Sequence, residues 1–60
     1  MDPKANLDEQ RRMAARILAT IDRGESVADQ EAERLAELVE ALDGWLSRGG
    51  FLPAQWQGKK

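Results

Sequence analysis

The chain has 60 residues, 33% of them charged, a net charge of −2, and neither cysteine nor histidine. Those absences exclude disulfides, cysteine-held zinc and iron–sulfur sites, the commonest metal ligand and the commonest general base. A single core of this length rarely contributes more than about 3–5 kcal/mol. With disulfides and metals set aside, self-association is the staple that remains.

The charge is unevenly spread. Residues 1–23 carry five bases and four acids, residues 24–47 carry Arg34 against seven acids, and residues 48–60 carry Arg48, Lys59 and Lys60 with no acid. A mildly basic first half beside an acidic second half favours packing of the two, although solvated faces account for most of this charge. No window holds the run of apolar residues that a membrane span needs, and the N-terminus lacks the apolar core of a signal peptide. A cytoplasmic location without membrane contact is the expectation, and the lack of cysteine fits it.

The first helix is expected over about residues 6–23. Asp2-Pro3 could start it, with Asp2 as N-cap and Pro3 at the first helical position. Asn6 is the better cap by pattern, because Glu9 stands three residues on in a capping-box relation. Leu7, Ala14, Leu18 and Ile21, flanked by Met13 and Ile17, make its apolar stripe. Gly24, just past Arg23, has the place of a left-handed C′ residue.

Gly24-Glu25-Ser26 reads as a turn, with Ser26 capping the next helix and Asp29 completing a second capping box. So short a connection makes the two helices antiparallel neighbours. The second helix is expected over about residues 27–47. Leu35, Leu38, Val39, Leu42, Trp45 and Leu46 recur at three- and four-residue steps, with Ala28 and Ala32 extending the stripe, while Glu33, Glu37, Glu40 and Asp43 take the opposite side. Gly44 could end this helix as a C′ residue. Continuation to Gly49 is favoured, because Trp45 and Leu46 stay in phase with the residues before them.

The tail over residues 48–57 is unusually apolar for an end segment, with Phe51, Leu52 and Trp56 within six residues. The expectation is that Gly49 and Gly50 reverse the chain, Phe51 and Leu52 dock on the hairpin, and Pro53 to Trp56 form one short turn. Residues 58–60 are expected to fray.

The run from Leu35 to Trp56, LAELVEALDGWLSRGGFLPAQW, resembles the C-terminal part of small uncharacterised proteins of actinobacteria and their phages. In these an amphipathic helix ends in W-L-S-x-G-G-F-L-P-x-x-W; Trp45, Leu46, Ser47, Gly49, Gly50, Phe51, Leu52, Pro53 and Trp56 match it. The L-D-E-Q start of the preceding helix, Leu7 to Gln10, is similar too. The resemblance implies a standalone small protein, possible as a phage product, and transfers no activity or site residue.

Four functional readings compete. Glu33, Glu37 and Glu40 stand one turn apart as paired carboxylates or metal ligands can, but this is also the ordinary solvent face of an amphipathic helix, with no pocket to shift a pKa. Ser26 and Ser47 have no partner base. No catalytic residue, metal ligand, cofactor or small-molecule substrate is therefore assigned, and the chain is not read as an enzyme. Arg11, Arg12, Arg16 and Arg23 share a broad face of the first helix and are the alternative, a nucleic-acid surface to which Lys59 and Lys60 could add. Interleaved acids and the acidic second helix count against it. The acidic helix could also mimic nucleic acid and block a partner's basic groove, with a solvated face as the simpler explanation. The fourth reading is protein–protein interaction through the apolar stripe and the aromatic tail.

The reading adopted is an all-α, two-helix antiparallel hairpin with a short folded C-terminal tail, pairing into a four-helix-bundle homodimer. Its expected interface is Leu18, Ile21, Leu35, Leu38, Val39, Leu42, Trp45, Leu46, Phe51, Leu52 and Trp56. The expected function is that of a small accessory protein acting through a further, unidentified protein partner.

Overall fold

A computed structural model describes residues 1–58. Helix α1 spans Pro3–Asp22, helix α2 spans Asp29–Ser47, and a single 3-10 turn covers Ala54–Trp56. The helices pack antiparallel, as the short connection requires, and the 3-10 turn folds back against α1. Residues 59–60, where Lys59 and Lys60 and part of the expected frayed end fall, lie outside the described residues.

Helix α1 starts four residues earlier than the capping-box pattern at Asn6 places it. The Asp2 carboxylate accepts a hydrogen bond from the Ala5 N–H at 3.2 Å, and Pro3 occupies the first helical position. The proline ring pre-sets the helical φ and gives up an N–H that would have had no partner there. This frees Asn6 from capping. Its side chain is buried between the helices, and its Nδ2 donates to the Leu38 carbonyl of α2 at 3.0 Å. The Gln10 Nε2 donates to the Asn6 Oδ1 at 2.7 Å and reaches the same carbonyl at 3.4 Å.

Helix α2 starts two residues later than expected, at Asp29. Its N-cap is Ala28, which offers no side-chain oxygen, and Ser26 is exposed. Asp29 and Glu31 in the first turn supply the negative charge that favours the helix N-terminus. Gly44 sits inside α2, so the continuation expected from the phase of Trp45 and Leu46 is what the fold adopts.

Both helices end in the same motif. After α1, the Gly24 N–H bonds the Ile21 carbonyl at 2.9 Å and the Glu25 N–H bonds the Thr20 carbonyl at 3.0 Å, with Gly24 at φ +77°. After α2, the Gly49 N–H bonds Leu46 and the Gly50 N–H bonds Trp45, with Gly49 at φ +90°. These are Schellman motifs, whose left-handed C′ position favours glycine. Gly50 is required for a different reason: a Cβ there would land inside the Trp45 indole. The indole Nε1–H donates to the Phe51 carbonyl at 2.9 Å, and the two rings meet edge to face at 5.3 Å.

The tail docks, but not through the expected residues. Phe51 is 64% exposed and Leu52 is also largely outside, while Pro53 is fully buried. Gln55 anchors the turn by donating to the Lys4 carbonyl and, at 2.7 Å, to the Asp8 carboxylate. Proline loses no donor by burial, which suits it to the inside of a short docked segment better than its larger neighbours.

The molecule measures 39 × 27 × 14 Å. The 14 Å dimension is little more than the ~10–12 Å diameter of one helix with its side chains. Over most of their length the helices are therefore covered on one flank only, the tail adding a second cover to α1 at Lys4 and Asp8.

Candidate interaction surface

The buried line between the helices is narrow. Leu7, Leu38 and Leu42 are its apolar core, joined by Asn6 and Thr20, with Pro3 and Pro53 closing the end nearest the tail. At 100° per residue, the remaining side chains of the expected stripe fall to either side of this line. The two sides differ in chemistry.

One edge is closed by charge. Arg34 donates through Nε and Nη2 to the two carboxylate oxygens of Glu9, each at 2.9 Å, in a forked pair between the helices. Arg16 reaches Glu31 across the same edge at 3.2 Å. The hydrogen bonds from Arg34 hold the Glu9 carboxyl below its ordinary pKa, and Glu9 in turn raises that of Arg34. At the tail end, hydrogen bonding from Lys4, helped by Gln55, similarly lowers Asp8.

The opposite edge carries Ala14, Leu18 and Ile21 from α1 and Ala28, Ala32, Leu35, Val39 and Leu46 from α2. Leu18 is 67% exposed, Ile21 57% and Val39 48%, with Leu35 and Leu46 half-buried. Near the tail this edge forms a shallow groove of about 170 Å³, lined by Gln10, Val39, Leu42, Asp43, Leu46 and Trp56.

The eleven expected interface residues therefore divide. Leu38 and Leu42 are spent inside the hairpin. Leu18, Ile21, Leu35, Val39, Leu46 and Trp56 gather on the apolar edge, while Trp45 and Phe51 form their own edge-to-face pair at the C-terminal end of α2. Leu52 is exposed on the loop beside them. The expected α1 stripe is rotated: Asn6, Gln10 and Thr20 take inward positions that periodicity assigned to Leu18 and Ile21. Asn6 had a visible signal, a polar residue one turn before Gln10 on the apolar side, but its pattern matched a cap equally well.

The four arginines are not equivalent. Arg16 and Arg23 are held by Glu31 and Glu25, and Arg12 shares their outer face by spacing. Arg11 lies about 100° or more away, beside Leu18 on the apolar edge. Glu33, Glu37 and Glu40 are exposed on the outer face of α2, Glu37 standing 3.9 Å from Arg34. Among the described residues, no three acidic side chains gather as a metal site would need, and no helix is long and apolar enough to cross a membrane. No protein-family model, curated protein or solved structure matches the chain.

Proposed function

We propose that this protein is a small non-catalytic interaction protein whose apolar edge is covered by a second copy of itself. The resulting pair of hairpins would present the outer charged faces, and the apolar residues the second copy leaves open, to further protein partners. One observation carries the reading: Leu18, Ile21 and Val39 are largely exposed on one edge while ion pairs close the other. A contiguous apolar edge of this kind marks an association surface more often than a solvent face. Size supports the same reading. The accessible surface of 4497 Å² exceeds the ~3,900 Å² typical of a compact monomer of this mass.

Sedimentation over a wide concentration range tests it. The expected result is a species of twice 6.7 kDa that dissociates on dilution. A monomer at every concentration would sink the proposal.

A further inference from the structure

We infer that two copies pair through α1 about a two-fold axis perpendicular to the helices, so that Arg11 of each faces the partner's Asp22. This rests on the self-association proposed above and places its contact on residues 11–22 of α1, leaving the end of the apolar edge at Val39 and Leu46 open.

Residues 11, 15, 18 and 22 follow one another at steps of four, three and four, which places them on a single ridge of α1. All four are exposed. The ridge is self-complementary when read backwards. In an antiparallel pairing centred between Ala15 and Leu18, each Leu18 lies over the partner's Ala15, large against small, which lets the helices approach closely. The same register sets Arg11 at one end opposite the partner's Asp22 at the other, twice by symmetry.

Both charges are available for this. Neither Arg11 nor Asp22 forms an ion pair among the described residues, whereas Arg16, Arg23 and Arg34 each hold a carboxylate within the chain. Among the described residues Arg12 and Arg48 form no ion pair either, but neither stands on this ridge of α1.

Other arrangements lack this match. A parallel pairing of α1 with itself sets Arg11 against Arg11 and Asp22 against Asp22. A two-fold axis along the helices lays α1 on the partner's α2. The hydrogen bonds from Asn6 and Gln10 to Leu38 and the Glu9–Arg34 pair set Arg11 level with about Leu35 of α2. There the α2 edge holds Ala32, Leu35 and Val39, with no carboxylate for Arg11, since Glu33, Glu37 and Glu40 lie on the outer face.

Charge exchange tests the geometry, with sedimentation equilibrium as the readout and helical circular dichroism as the check on folding. Arg11→Glu and Asp22→Arg should each weaken self-association by about tenfold or more, because each turns two attractive pairs into two repulsive ones. Mixing the two single variants should restore a dimer containing one chain of each, and the double variant should associate like the original. High salt should narrow the differences. If the original dimerises and the single variants associate equally well, or the mixture stays apart, this geometry is wrong while self-association stands. If the original is monomeric throughout, both proposals fail together.

Discussion

Asn6 shows how one residue sets the register of the hairpin. The Leu38 carbonyl already serves the backbone of α2, and its second lone pair takes the Asn6 amide, with Gln10 completing the cluster. An apolar pair at these positions would let the helices slide by a turn at little cost. A buried amide with one acceptor in reach does not, because an unpaired group there costs about 1–3 kcal/mol. Asn6→Ala should therefore destabilise the protein by about 1–2 kcal/mol in urea denaturation. An unchanged midpoint would show that Gln10 alone holds the register.

The helices themselves are closed by glycines that do two different things. Gly24 and Gly49 supply positive φ in the two Schellman motifs, while Gly50 makes room for the Trp45 ring. Between the helices, Glu9–Arg34 and Arg16–Glu31 join α1 to α2, and Asp8 joins α1 to the tail through Gln55. Glu9 and Asp8 have folded-state pKa values below their ordinary 4.5 and 3.8. A depressed carboxyl contributes stability above its unfolded pKa and loses it as pH falls through the folded value. The melting temperature should thus be nearly level above pH ~5 and decline below ~4.5 as both groups protonate. Arg34→Met should flatten the Glu9 part of that decline. A profile identical to the original would show that the forked pair does not persist in solution.

For the whole molecule, the 14 Å thickness is the governing dimension. A one-layer hairpin has a line of contact rather than a core, so among the described residues only Leu7, Leu38 and Leu42 are buried apolar residues beyond the two prolines. The radius of gyration, 13.3 Å, exceeds the ~10 Å of a compact chain of this length for the same reason. Two leucines separate the intrachain contact from the proposed interface. Leu42→Ser should cost about 3 kcal/mol or more and unfold the chain at every concentration. Leu18→Ser should leave the hairpin helical but shift its dissociation to higher concentration, seen as a melting temperature that loses its dependence on protein concentration. Equal behaviour of the two variants would mean that Leu18 is not a contact between copies.

Much of this was determined by local chemistry and can be read from residue order alone. The apolar period of α2, the glycines past Arg23 and Arg48, and the short turn specify two antiparallel helices and a reversal into the tail. Those features act within one or two helical turns, so nearby residues suffice to predict them. The inward positions of Asn6 and Gln10, the exposure of Leu18 and Ile21, and the burial of Pro53 in place of Phe51 were decided only by tertiary structure. An amphipathic stripe is wider than the line along which two helices touch. Which part of it is covered depends on the rotation of each helix about its own axis. That rotation is set by contacts between residues far apart in sequence: Asn6 with Leu38, Glu9 with Arg34, and Gln55 with Asp8.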